Sequence, residues 1–537
     1  MNRLALIVAL VLSWPASALA QLTRPAVTTE SGVFGEAYRI SGRDPRRPEQ
    51  TLRAYLSPTV SWLGLTIGAN LLWSTENQFT AQTLNRLYVN PRWRWGQVHA
   101  GDYVPTLSRF TAQTVRVRGG GVELQPGRLR IAATGGRVSQ AGDLSVFDAA
   151  TTRTFYGGLV GYGSADGTFI EISAARTVDD TVGTDTVSVA PQENLVGAVA
   201  AGVAVGPLRL KGEWSSALFS RDTRASELDS IGQPAWTENV FTPRLSSRLD
   251  HAWSAELRLA FRAGQIGAQV EQVGPGYTTL GNPYLPNDRR EIRVFGRGRV
   301  ARGRLTANLT LGLRRDNLTG DKRGTTFRRT GTLAVTALAG GWSVTSASVL
   351  LNGLRSDPTP AVPGSPDTLL TDSFRLRNVA IAVVASQQIR LGGPQVSHTI
   401  TLSYAQQIVD DDSPRFDTLL DASSRTLGAD WGVTLGRQYT ISARGALQHF
   451  RGGGRTGDFP SAGLGLARRS ASSPWTAALN GTYTELGEGR QLRFDGSAGY
   501  RFPWAVQIAA QVRHTDVSGV PTPFRETVGT LRVTRRF

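Results

Sequence analysis

The feature that most restricts this chain is a strict alternation of apolar and polar side chains, repeated in stretch after stretch. After Arg304, residues Leu305, Ala307, Leu309, Leu311 and Leu313 fall on one side, and Thr306, Asn308, Thr310, Gly312 and Arg314 on the other. Successive side chains of a strand point to opposite faces, so this stretch reads as a strand with one oily and one wet face. The split recurs at Leu63–Trp73, Trp253–Phe261, Leu492–Phe502 and Trp504–Val512. A soluble sandwich also alternates. Here, however, the runs have the length a tilted strand needs to cross a membrane, about 9–11 residues. Trp73, Trp253, Phe261, Tyr500, Phe502 and Trp504 close the oily rows, where an interfacial aromatic girdle belongs.

The connections alternate between tight and long. Gln125-Pro126-Gly127, Val205-Gly206-Pro207, Ala339-Gly340-Gly341 and Gly392-Gly393-Pro394 are tight, with Gly and Pro supplying turn geometry. Segments 139–151, 179–193, 220–246, 275–289, 355–372 and 410–423 are long and rich in Asp, Thr, Ser, Pro and Gly. Backbone groups at membrane depth must all be paired inside the protein, which a closed barrel achieves without edges. The expected fold is therefore all-β: a single transmembrane antiparallel up-and-down β-barrel. Hairpin counting from Val33 to Phe537 gives about 26 strands, within a range of 22–26, with the weakest pattern near 104–118 and 373–379.

The first residues point to export. Met1-Asn2-Arg3 is basic, Leu4–Leu12 is apolar, and Ala18-Leu19-Ala20 is a small-x-small cleavage pattern. The apolar run is too short for a spanning helix, which takes about 20 residues. The expected organisation is a signal peptide over 1–20 and a barrel over 21–537. The chain has no cysteine, so disulfide and thiol chemistry are excluded. Lysine occurs only at Lys211 and Lys322, and almost all of the +17 net charge is arginine.

The chain ends Leu531-Arg532-Val533-Thr534-Arg535-Arg536-Phe537. A terminal Phe preceded by alternating apolar residues resembles the closing strand of bacterial outer-membrane β-barrels. With the leader and the strand texture, the resemblance covers the whole chain. It implies residence in the outer membrane of a Gram-negative cell, among lipids and lipopolysaccharide, and Phe537 as the signal read by the barrel-assembly machinery. Only about ten residues separate Gln21 from the first strand. That is too short for the plug of a TonB-dependent receptor or for the periplasmic domains of assembly and lipopolysaccharide-transport barrels, so a porin-like barrel without a plug domain is expected. The strongly basic charge departs from ordinary porins, and their cation preference is not carried over.

Chemistry-bearing motifs are scarce. No metal-ligand spacing, phosphate loop or nucleotide fingerprint occurs, so no cofactor, metal or nucleic-acid partner is expected, and the chain does not read as an enzyme. His251, His398, His449 and His514 share parity with the oily rows, and His99 falls on the wet side as a lone polar lining residue. A lipid-modifying site would need a Ser and a carboxylate beside His449 or His514. The acidic loop groups Asp179, Asp180 and Asp185, and Asp410, Asp411, Asp412, Asp417 and Asp421, match no defined Ca2+ site and read as solvated charge.

The wet rows carry the functional signal. Arg258, Arg262, Arg293, Arg297, Arg299 and Arg314 read as one basic stripe on the lumen wall, and Arg92, Arg94, Arg116, Arg118 and Arg130, with Arg209 and Lys211, as further lumen cations. Lipid-facing charge at mid-membrane costs about 2–4 kcal/mol, which favours the inward assignment. Glu123, Glu171, Glu213, Glu256 and Glu271 are available to neutralise part of it. Such a wall suits a channel for passive diffusion or assisted export of polar, anionic solutes. A bore of this strand number needs narrowing, by infolded loops or by a separate plug or periplasmic partner. Loop 220–246, with Trp236 and Phe241 as apolar anchors, is the expected plug. The alternatives are a surface-attachment barrel with a filled lumen, and a lipid-modifying enzyme.

Overall fold

The computed structural model describes residues 25–536, apart from 79–84, 140–151, 165, 181–189, 359–374, 414–420, 437 and 470–472. The expected signal peptide over 1–20, Asp185, Asp417 and Phe537 lie outside the described residues, as does the side chain of Trp236.

Alternation becomes strand throughout. The first strands are β1 (Ala26–Ser41), β2 (Gln50–Trp62), β3 (Leu65–Ser74), β4 (Arg86–Trp93), β5 (Gly96–Tyr103), β6 (Val117–Leu124) and β7 (Leu129–Ser139). There follow β8 (Thr152–Gly163), β9 (Phe169–Asp180), β10 (Glu193–Val205), β11 (Leu208–Ser220), β12 (Ser247–Phe261) and β13 (Gly264–Val273). Next come β14 (Arg289–Val300), β15 (Leu305–Asp316), β16 (Gly324–Ala339), β17 (Ser343–Pro358), β18 (Leu376–Gly392), β19 (Val396–Asp411) and β20 (Ala422–Leu435). The last are β21 (Tyr439–Gly452), β22 (Arg455–Arg468), β23 (Trp475–Leu486), β24 (Gly489–Arg501), β25 (Val506–Ser518) and β26 (Phe524–Arg536). Each pairs antiparallel with its chain neighbours, and β1 pairs with β26 from Glu30↔Arg536 to Ser41↔Arg525, which closes a barrel of 26 strands. No helix among the described residues is long and apolar enough to cross a membrane.

The start of β1 and the end of β26 lie at one end, which most of the tight turns share; the two-residue turns 453–454 and 487–488 lie at the other. At Leu63-Gly64, between β2 and β3, φ is 48° and 81°. Two successive positive φ values turn the chain with the twist of a tight hairpin, and Gly64 takes its share without steric cost. The long connections, including 104–116, 221–246 and 274–288, lie at the opposite end. The wall is uneven: β4, β5 and β6 have 8 residues each, whereas β16 to β19 have 16 or 17.

The two faces follow from register. Leu309, Leu333 and Val349 lie in one outward row across β15, β16 and β17. Outward apolar residues remain strongly exposed, with Ile172 at 59%, Leu464 at 72% and Leu311 at 48%. An apolar surface of this extent needs an apolar surrounding medium.

Candidate functional site

The lumen is not uniform. Along β16 to β25, the inward-facing Arg328, Thr330, Thr332, Asn352, Gln507 and Gln511 are all exposed, and so are the inward Leu350 and Val384. Between β6 and β14 the half of the inner wall nearer the long loops is covered, whereas Arg209, Lys211, Arg297 and Arg299 toward the tight-turn end stay exposed. The cover comes from segments 104–116 and 274–288, both of which turn into the barrel from the long-loop end.

Segment 104–116 supplies two apolar anchors. Leu107, Ala112 and Val115 pack on the inward Val117, Ala132, Phe155, Leu159 and Ala175. Phe110 and Tyr277 pack on the inward Val196, Ala217, Ala252 and Val273, with Leu285 against them. Phe110 and Phe155 are fully buried. Burying one such side chain is worth about 1.5–3 kcal/mol.

Polar groups then lock the two segments together. The Tyr277 hydroxyl donates to Phe110 O at 2.9 Å and lies 2.8 Å from Ser215 Oγ. Thr279 Oγ1 donates to Thr111 O at 2.8 Å, and Asn282 Nδ2 to Arg109 O at 2.9 Å. Asn194 of β10 donates to Leu218 O and Thr278 O and accepts from Leu280 N. Glu271 of β13 lies 2.6 Å from both Arg109 and Arg289. A Cβ on Gly281 would stand 2.2 Å from Thr111 O, so the contact requires glycine there. Farther out, Asp288 holds Lys322 and accepts from Leu318 N at 2.8 Å and Asn317 N at 3.2 Å. Burial alone would raise its carboxyl, but Lys322 and the two amides outweigh that and hold it below the usual range.

Loop 221–246 does something else. Phe241 is buried with Leu195 and Leu218, and the half-buried Leu249 and Ile231 pack against them. Those three leucines share parity with the exposed Val199, Trp214 and Leu257, so this cluster sits on the outer face of β10, β11 and β12. The expected plug loop therefore clasps the outside of the rim, and the in-folded segments are 104–116 and 274–288. The first is the stretch where the alternation fades, because it is not strand. Its run Leu-Ser-Arg-Phe-Thr-Ala-Gln-Thr-Val, with a single charge, is the signal in the sequence for a buried connection.

The basic stripe is also rearranged. Arg258, Arg293, Arg297, Arg299 and Arg314 do face inward, but Arg262 lies exposed in the turn after β12. Arg258 meets Glu256 at 2.5 Å and stacks over Phe295 at 5.6 Å. Arg293 meets Glu291 at 2.5 Å, and Arg314 faces Glu291 in register. Arg297, Arg299 and Arg328 make no ion pair among the described residues, and all three are exposed. Of the stripe and its neighbour on β16, the arginines left without a carboxylate among the described residues thus sit on β14 and β16.

Of the other lumen cations, Arg92 faces inward opposite Gln97, and Arg130 meets Glu171 at 2.9 Å. Arg209 is 3.8 Å from Asp166, and Lys211 lies over the Phe169 ring. Arg94 lies exposed in the turn after β4. Arg118 shares the outward parity of Val122 and Leu124 and pairs with Asp102 at 2.9 Å on the outer face. Arg116, between the buried Val115 and Val117, lies in the field of Asp102, Arg86 and Arg118. The inward reading of Arg118 failed because a carboxylate across the strand pair makes an outward arginine affordable near the rim.

His99 is not alone. Its Nδ1 is 2.7 Å from the Tyr88 hydroxyl, its Nε2 is 3.3 Å from Glu123, and its ring stacks on Tyr103 at 4.9 Å. His251 and His398 stack outward on Trp214 and Trp431. His449 Nδ1 lies 2.7 Å from Asp458, and His514 Nδ1 lies 2.8 Å from Thr527 Oγ1. No serine hydrogen-bonds either imidazole among the described residues. The acidic loop groups are drawn into local pairs: Asp179 is held by Arg153 at 2.6 Å, Asp412 by Arg377 at 3.1 Å, and Asp421 accepts from Asp411 N at 2.8 Å. Among the described residues no group of His, Asp or Glu is arranged to hold a metal ion.

No family model matches the chain, and no curated protein does. Among solved structures, the Escherichia coli P pilus usher PapC, in a tip assembly intermediate with PapD, PapK and PapG, aligns at 10% identity with a TM-score of 0.48. That alignment covers 97% of this chain and 62% of the usher structure's, so the chain spans less than two thirds of it. The siderophore receptor PirA of Pseudomonas aeruginosa aligns over 96% of this chain and 81% of its own, at 12% identity and a TM-score of 0.37. OccK11 of Pseudomonas aeruginosa aligns over 96% of each chain, at 10% identity and a TM-score of 0.29. At these values the likeness is one of large β-barrel architecture.

Proposed function

We propose that this protein is an outer-membrane channel that passes polar solutes, with a preference for anions, and that its bore is narrowed by its own in-folded segments. The observation that carries this reading is the inner wall along β16, β17 and β25, where Arg328, Thr330, Thr332, Asn352, Gln507 and Gln511 stay exposed while the long-loop half of the wall from β6 to β14 is covered. A surface-attachment barrel would need its lumen filled all round. The long-loop end is assigned to the cell exterior and the tight-turn end to the periplasm, the asymmetry of bacterial barrels. A tag inserted after Ala361 should then be labelled on intact cells, and labelling only after lysis would reverse the orientation.

Anion preference rests on Arg297, Arg299 and Arg328 rather than on the whole stripe. Screening in physiological salt falls off over about 8 Å, so these guanidinium groups act on ions near the wall and little at the centre of a wide bore. Replacing Arg297 and Arg299 with Gln should shift the zero-current potential in a salt gradient toward cation selectivity, less so at high salt. Replacing Arg258 should change it less, because Glu256 already neutralises that residue. A cation-selective wild type, or an unchanged potential in the double variant, would refute the assignment.

A further inference from the structure

The outer face carries arginines that the channel reading does not use. Register places Arg290 of β14 opposite Arg315 of β15, Arg315 opposite Phe327 of β16, Phe327 opposite Arg355 of β17, and Arg355 opposite Arg377 of β18. Arg329 stands one outward step further into the wall, opposite Leu313 and Gly353. These arginines are all exposed, and they share parity with the lipid-side residues Ile292, Leu313, Leu333 and Val349. All lie near the long-loop ends of their strands.

Like charges directly across a strand pair repel, since Cβ atoms there are about 4.5–5.5 Å apart. Elsewhere at this end the protein answers an outward arginine with a carboxylate: Arg118 with Asp102, Arg176 with Glu193, and Arg525 with Asp516. On this face Arg355 has Asp357 and Arg377 has Asp412. Among the described residues Arg290, Arg315 and Arg329 make no ion pair: Arg290 donates to the amide oxygen of Gln272, and Arg315 lies over the Phe327 ring.

We propose that Arg290, Arg315 and Arg329 form a binding site for the phosphate groups of a lipid headgroup in the surrounding leaflet. Guanidinium forks match phosphate oxygens bidentately, and lipid-side charge costs only about 0–1 kcal/mol near the interface. Ile292, Leu313 and Leu333, just below, offer an apolar wall for the acyl chains. From β14 to β16 the three arginines span about 10 Å at the spacing of neighbouring strands. That breadth suits a phosphorylated glycolipid with more than one anionic group better than a single free phosphate. The inference rests on the long-loop end facing the outer leaflet, which the label after Ala361 tests separately.

The test uses the full-length barrel in nanodiscs, titrated with lipid A, with dephosphorylated lipid A and with inorganic phosphate. Lipid A should bind; its dephosphorylated form and free phosphate should bind far more weakly. The variant R290Q/R315Q/R329Q should bind lipid A about tenfold more weakly or worse. The triple Lys variant should keep part of the affinity, and R297Q/R299Q, on the lumen side, all of it. Heat-modifiable gel migration checks that each barrel is folded, and R315Q alone is the fallback if the triple variant is not. Equal binding of lipid A by wild type and R290Q/R315Q/R329Q, or by wild type and R315Q where the triple variant does not fold, or equal binding of the dephosphorylated lipid, would overturn the proposal. Inorganic phosphate binding as tightly as lipid A would replace the lipid by a free anion.

Discussion

Single-channel conductance in planar bilayers should rise several-fold in a variant carrying both Phe110→Ala and Tyr277→Ala. These residues hold segments 104–116 and 274–288 against the inner wall, and each is buried almost completely. Truncating a buried aromatic to Ala typically costs about 3–5 kcal/mol. The Tyr277 change also removes the hydrogen bond to Phe110 O. The strands themselves keep their ladders, so the loss should appear as loosened segments rather than an unfolded barrel. Gly281→Val should act in the same direction through a different cause, because its side chain would collide with Thr111 O. Deleting residues 224–240 should leave conductance near wild type, since the anchor of that loop packs on the outer face. Wild-type conductance in the double variant, or a wider pore after the loop deletion, would mean that the constriction lies elsewhere.

Removing Phe537 should cut the amount of folded protein in the outer membrane by far more than any change to the side chains at the seam. The closing pair β1–β26 runs from Glu30 to Ser41 against Arg525 to Arg536. An open seam at membrane depth would leave two strand edges unpaired, at several kcal/mol for each orphaned backbone group. Closure is therefore the step that assembly must not miss. Position 537 continues the parity of Leu531 and Val533 and supplies the terminal aromatic to which the resemblance assigns recognition by the assembly machinery. The ion pair between Arg536 and Glu30, at 3.1 Å, is exposed and is worth at most about 1 kcal/mol. Glu30→Gln should therefore assemble normally. Quantitative blotting of outer-membrane fractions, with heat-modifiable migration to score folding, separates the two. Normal levels without Phe537 would show that closure is directed by other residues.

Alternation reports, residue by residue, which side of a strand a side chain takes, and that is a local property of the backbone. For this reason the all-β class, the strand number of 26, the gathering of the long loops at one end, and the inward position of Arg293, Arg297 and Arg299 are all legible in the sequence. Alternation does not report what stands across from a side chain, because partners sit a whole hairpin away or farther. Arg118 meets Asp102 and Arg293 meets Glu291, whereas Arg297 meets no carboxylate among the described residues; only register separates these cases. The row Arg290, Arg315, Arg355 and Arg377 is drawn from four strands and is invisible along the chain. Nor does periodicity extend into connections. Leu107 and Phe110 turn into the barrel while Phe241 clasps its rim, and each goes where an unfilled apolar surface is left by strands distant in sequence. The wall and its two faces follow from neighbouring residues and so are legible along the chain; the pairing of charges and the fate of the loops depend on the closed barrel, which alone brings remote strands together.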